Sequence, residues 1–269
     1  MSFGLRLYFD LIVFMLGAAF GSFFNVCIHR MPREESIVHP PSHCPKCHHR
    51  IRWFHNIPLV SFFLLRGRCH DCGAPISPRY LFIELLTASL FLAVWLKYEW
   101  EWVAPIYWVL VGGLIVATFI DFEHYIIPNE ITYGGILVGL AVSLFYPPLH
   151  EVETVGVSLL RSLVGGLTGA GALLLVALLG EKVFNKEAMG MGDVKLIAGI
   201  GAFLGWEAVL FTIFASSVIG GVVGLLLVLT SKKGWGSRIP YGPYLALGAV
   251  LWLFFGRGIV HWYFEFLSG

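Results

Sequence analysis

The stretch Trp102-Val-Ala-Pro-Ile-Tyr-Trp-Val-Leu-Val-Gly-Gly-Leu-Ile-Val-Ala-Thr-Phe-Ile120 carries no charged side chain, and Asp121-Phe122-Glu123-His124 follows it at once. An uncharged apolar run of roughly 20 residues matches a hydrocarbon core about 30 Å thick. The rest of the chain repeats this pattern. Of its 269 residues 57% are hydrophobic and 13% are charged, with a mean hydropathy of +0.78. Soluble domains run at about 25% charged, so composition alone excludes an ordinary soluble domain. The apolar residues fall in long blocks, which predicts an all-α, polytopic transmembrane helical bundle.

Eight spans are expected: Leu11–Cys27, Leu81–Trp95, Trp102–Ile120, Ile131–Tyr146, Val155–Gly180, a short Val194–Leu204, Ala208–Thr230 and Tyr241–Phe264. The first is read as a retained span, because Asn25-Val-Cys-Ile-His-Arg30 follows it where a signal peptide would have a small-residue cleavage site. Residues 1–100 are expected to form an N-terminal region with two spans and a soluble segment, 29–80. Residues 101–269 are expected to form a polytopic core.

Lys and Arg set the orientation. If the segment between the first two spans is cytoplasmic, fourteen of the eighteen basic residues fall on that side, including Lys182, Lys186, Lys195, Lys232, Lys233 and Arg238. Only Arg6, Lys97, Arg161 and Arg257 remain elsewhere. Both termini are then non-cytoplasmic. Asp121, at the end of the third span, and Asp193, at the start of the sixth, share the cytoplasmic side at similar depth.

The whole sequence has four aspartates, and these two sit at span rims, where an ionisable group is costly unless paired or hydrated. Asp193 lies in Gly190-Met-Gly-Asp193-Val-Lys-Leu196, whose glycines let a neighbouring backbone approach. Two aspartates within hydrogen-bond distance share a proton, so that one can activate a water and the other act as acid toward a peptide carbonyl. Two other readings stay open on residues alone. Each carboxylate could cap a helix or pair with a base such as Lys195 or His124, or the two could form a proton pathway. Lys195 could equally snorkel to the headgroups.

Cys44-Pro-Lys-Cys47 and Cys69-His-Asp-Cys72 supply four of the five cysteines as two knuckles able to hold one tetrahedral zinc. Four thiolates close the coordination shell, which points to a structural metal. The fifty or so residues around them are too few for a hydrophobic core without such a staple. His43, His48, His49, His55 and His70 are nearby substitutes for a ligand, and Cys27 reads as packing. Polar clusters close the first span at Gly21-Ser-Phe-Phe-Asn25 and open the last at Arg238-Ile-Pro-Tyr-Gly-Pro-Tyr244. The latter suits a helix contact or a substrate groove equally.

In combination these motifs resemble the bacterial type IV prepilin peptidases, membrane aspartyl proteases of the GxGD type that also serve type II secretion. The resemblance takes in Gly21–Val26, both CxxC pairs, Asn56–Ser61, Ile76–Tyr80, Asp121 to Pro128, Gly190–Asp193 and Ile239–Pro243. It implies an inner-membrane enzyme that cleaves the basic leader from prepilins and pseudopilins. It also implies N-methylation of the new N-terminus with S-adenosylmethionine. Asp121 and Asp193 would be the catalytic pair, and Cys44, Cys47, Cys69 and Cys72 the zinc ligands. Asn129 and Leu81 depart from residues common in that family. No G-x-G-x-x-G is present, and Glu84 is the one candidate toward the methyl donor. Glu123 is a candidate for reading leader charge. No nucleic-acid partner is expected; the expected partners are the lipid bilayer and the pilin substrates. A zinc-stapled scaffold without chemistry is the remaining alternative.

Overall fold

The computed structural model describes residues 3–185, 189–230 and 239–268; Lys186, Lys232, Lys233 and Arg238 lie outside the described residues. These residues form helices with no strand beyond two isolated bridges. Two compact units divide the chain, Met1–Val116 and Ala117–Gly269.

In the first unit, α1 (Phe3–Arg30) packs on α3 (Pro78–Tyr98). Gly17 and Gly21 allow this contact, since a methyl group at either would lie 2.7 or 2.6 Å from the Cα of Ala88 or Glu84. Asn25 Nδ2 donates to its own helix at Gly21 O (3.1 Å) and across to Tyr80 O (3.2 Å). Trp95 Nε1 donates to Asp10 Oδ1 at 2.9 Å. The helix α3 starts where Ser77 accepts from Arg79 N (3.3 Å) and Pro78 takes the first turn, a position that needs no N–H. Between α1 and α3 lie the cysteine segment and one short helix, α2 (Val60–Leu64).

The helix α4 (Val103–His124) begins in the first unit and ends in the second. It stops because Tyr125 turns left-handed (φ 57°), and Pro128 then caps α5 (Asn129–Phe145). In the second unit, α6 (Val155–Phe184) packs along α7 (Met191–Thr230), with Gly165 and Gly201 backbone to backbone. Gly166 and Gly220 also sit in contacts, whereas Gly221 faces open space.

The helix α7 is not one rod. Gly205 has φ 83° and ψ 177°, a conformation essentially restricted to glycine. A methyl at Gly201 would lie 2.8 Å from Val209 Cγ2, although a straight helix would separate those residues by about 12 Å. The chain therefore bends sharply at Gly205, giving the expected arms 194–204 and 208–230. The break leaves carbonyls at the end of the first arm without helical partners. Ser162 Oγ donates to Ala202 O at 2.7 Å, and buried His150 sits beside it, its Nε2 3.1 Å from Ser143 Oγ.

The last expected span is likewise interrupted: α8 (Gly242–Leu251) passes through a π-turn, Trp252–Gly256, into α9 (Arg257–Ser268). Among the described residues, five helices are long and apolar enough to cross a membrane, namely α1, α3, α4, α6 and α7; α5 and Gly242–Gly256 are shorter. The expected eight segments thus all fall on helices. Length and composition qualify five helices as spans because α7 counts once and two others are short.

Candidate active site and metal centre

Asp121 lies in the last turn of α4 and Asp193 in the first turn of α7, and both are buried, at 5% and 8% exposure. Both belong to the second unit, in segments that gather around Ile127. Three details hold the arrangement. Gly242 N, at the start of α8, donates to Asp121 Oδ2 at 3.0 Å. Asp193 N donates to Gly190 O at 3.1 Å, closing the turn that starts α7. Ile127 packs between the two glycines: a methyl at Gly192 would lie 3.1 Å from Ile127 Cβ, and one at Gly242 3.0 Å from its Cδ1. Three chain segments can meet there only because both glycines lack a side chain.

Asp193 Oδ1 is buried and has no hydrogen-bond partner. Among the described residues no basic side chain pairs with either aspartate. Lys195 Nζ instead donates to Asn129 Oδ1 (2.5 Å) and lies 4.9 Å from the centre of the Tyr133 ring. His124 Nε2 lies 3.9 Å from Glu123 Oε2. The expected alternative of carboxylates neutralised by Lys195 or His124 therefore does not hold. A buried acidic oxygen with no partner is costly and marks a place where a proton or a ligand atom would sit.

Sequence reasoning did not single out Gly242 as the donor to Asp121. Its signal was present in Tyr241-Gly242-Pro243, a glycine at a helix start, but two roles for that cluster were equally open. The fold uses it as a carboxylate clamp, and Tyr241 Oη is fixed 2.7 Å from Ser216 Oγ. The helix α8 points its N-terminus at Asp121, where the backbone dipole favours negative charge.

In the first unit the cysteines form two hairpins of the same build. Cys44 N donates to His49 O (3.0 Å) and His48 N to Cys44 O (2.9 Å); Cys69 N donates to Ala74 O (2.8 Å) and Gly73 N to Cys69 O (2.9 Å). Each hairpin turns on a left-handed residue, His48 (φ 57°) or Gly73 (φ 69°), and closes with a bridge, His43–Arg50 or Arg68–Pro75. All four Sγ atoms lie within 4.8 Å of one another, with Cys44 and Cys72 at 3.8 Å. A tetrahedral zinc with bonds of about 2.3 Å needs sulfur–sulfur edges of about 3.8 Å, so the donor set fits that ion. Among the described residues, no histidine belongs to this cluster.

Glu84 Oε2 accepts from Leu59 N at 2.7 Å, and Ser22 also bonds the carboxylate; Glu84 is structurally engaged between α1, α3 and the cysteine segment. Cys27 is buried in α1, as expected of packing.

Long apolar helices, with two buried carboxylates at helix ends in the second unit, are the build of a polytopic membrane protein. The chain matches the family described as "Bacterial Peptidase A24 N-terminal domain" over residues 15–98 and the "Type IV leader peptidase family" over residues 108–225. Three similar proteins each bear the name prepilin leader peptidase/N-methyltransferase. The Myxococcus xanthus protein is 42% identical over 226 residues, covering 84% of this chain and 65% of that protein. The Aeromonas hydrophila and Pseudomonas aeruginosa proteins are 35% and 34% identical, each covering 96% of this chain and 94% of the relative. The chain belongs to the type IV leader peptidase family. No solved structure matches it.

Proposed function

We propose that this chain is a bifunctional membrane enzyme. As an aspartyl endopeptidase it removes the leader of type IV prepilins and pseudopilins; as a methyltransferase it N-methylates the new N-terminal residue. The observation that supports the peptidase is that Asp121 and Asp193 lie in segments gathered around Ile127 in the second unit, both buried, neither paired with a basic side chain among the described residues, and one oxygen unsatisfied. The Myxococcus, Aeromonas and Pseudomonas relatives are named for both activities, and none for transport or a scaffold.

The roles follow from the hydrogen bonds. Asp121 accepts the Gly242 amide at the head of α8, an arrangement suited to a carboxylate, and it acts as the base. It takes a proton from water as the oxygen attacks the scissile carbonyl carbon. Asp193 carries the shared proton on its otherwise unpartnered side and gives it to the carbonyl oxygen. In the collapse of the resulting diol, Asp121 passes its proton to the leaving nitrogen, the C–N bond breaks, and Asp193 recovers a proton from a diol hydroxyl. Gly190, where a methyl would meet only Asp193 Oδ2 and Gly192 N within 4 Å, leaves room beside Asp193 for an extended substrate backbone.

Zinc held by Cys44, Cys47, Cys69 and Cys72 would fasten the segment between α1 and α3, with no open position for chemistry. S-adenosylmethionine is the methyl donor in this reading and supplies the transferred methyl group. The inner membrane is the location, with the cysteine segment and the aspartates on the cytoplasmic side, where the basic residues concentrate and a prepilin leader begins.

The test is cleavage of a purified prepilin by the wild type, Asp121→Asn and Asp193→Asn in detergent. Loss of cleavage in both, with unchanged thermal unfolding, supports the pair. Cleavage surviving in either variant removes it.

A further inference from the structure

The helix α2 is inside out for a water-exposed segment. Ser61 is buried, its hydroxyl donating to Phe54 O (3.2 Å) and accepting from Ile57 N (2.9 Å). Phe62 also turns inward, its ring against Gly67. Val60, Phe63 and Leu64, spaced i, i+3, i+4, share the other side and are exposed, Phe63 at 68% and Leu64 at 72%. Trp53, on the short turn bonded to α2 through Ser61, is 81% exposed. A patch of this kind has a partner.

The depth of α2 names that partner. Leu59, just before α2, adopts the rarer, strained hand of γ-turn (φ 62°, ψ −52°), with Val60 N donating to Pro58 O at 2.7 Å. Its own N–H donates to Glu84 Oε2 at 2.7 Å. Glu84 lies about 9 Å along α3 from Pro78 at 1.5 Å per residue, inside a helix long and apolar enough to span. The start of α2 is therefore pinned level with the first turns of a span, not out in water. Arg66 and Arg68 follow immediately, exposed and without an ion pair among the described residues.

We infer that α2 and Trp53 form an interfacial anchor, with Val60, Phe63 and Leu64 at the headgroup–acyl boundary and Arg66 and Arg68 on anionic phospholipid phosphates. Apolar side chains backed by basic residues are the composition that binds such a surface. The inference is independent of the peptidase reading.

The test places a fluorescent amino acid at position 63 of the full chain, and in a second variant at position 53, reconstituted in phosphatidylglycerol-containing nanodiscs. A nitroxide near the lipid headgroup should quench both probes severalfold more than aqueous iodide does. Arg66→Gln with Arg68→Gln should lower phosphatidylglycerol enrichment around the protein by roughly fivefold per arginine. Free quenching by iodide with none from the nitroxide lipid overturns the anchor. So does protection that arises only when a prepilin peptide is added, which would make the face a substrate surface. Unchanged phosphatidylglycerol enrichment in the double variant overturns the headgroup contact.

Discussion

Gly242→Ala is the most discriminating perturbation of the proposed site, because it adds one methyl group and no charge. That methyl would stand 2.8 Å from Asp121 Oδ2 and 3.0 Å from Ile127 Cδ1, where ordinary contact begins at 3.4 Å. The carboxylate must withdraw by about 0.6 Å or rotate away from the Gly242 amide, so the base leaves its position relative to the water it activates. A displacement near 1 Å costs about a hundredfold in rate, so kcat for leader cleavage should fall by roughly ten- to a hundredfold with KM unchanged. Overpacking of this size also costs about 1–3 kcal/mol of stability, which thermal unfolding in detergent measures separately. Gly221→Ala is the matched control, since a methyl there meets nothing within 4 Å; it should cleave like wild type. The assay is prepilin cleavage followed by gel shift at saturating and limiting substrate. A folded Gly242→Ala protein cleaving at the wild-type rate would refute the claim that this contact positions Asp121. The Asp→Asn variants would then decide whether the pair still acts.

Other consequences follow from the rest of the fold. Removing the metal by chelation, or Cys44→Ser, should open residues 42–76 to protease while α1 and α3 stay protected, because the two hairpins have little else to hold them; limited proteolysis reads this, and an equally resistant segment would argue against a bound metal. Gly205→Ala should destabilise the second unit by about 1–3 kcal/mol, since φ 83° is closed to alanine; an unchanged melting temperature would contradict the bend. Burial, with nearby Arg161 adding to it and the Ala202 carbonyl opposing it, pushes the His150 imidazole from 6.5 down to about 4. The unfolded chain therefore takes up this proton first. His150's contribution is full above pH 6.5 and is lost as pH falls toward 4, by a total of about 3 kcal/mol. His150→Gln should flatten that part of the melting-temperature profile.

Much of this molecule was readable from its residues alone. Uncharged apolar runs leave a bilayer helix as the only way to satisfy the backbone, so class and helix positions follow from composition along the chain. The cysteine cluster was equally legible, since CxxC spacing predisposes a thiolate-bearing turn and two such turns make a tetrahedron. The partners inside the bundle were not. Asp121 meets Gly242, 121 positions on, through a backbone N–H, a group every residue except proline carries and that no motif marks. Lys195 turning to Asn129 rather than to Asp193 was settled by the side-chain geometry of folded helices. Likewise, the apolar pattern placed a break between residues 204 and 208 but not the sharp bend there; Gly205 is one glycine among 31 until α6 packs against it. Periodicity and spacing specify what a segment is, because they act locally. Which groups touch depends on how separate helices cross and pack, and that is decided only when the whole bundle closes.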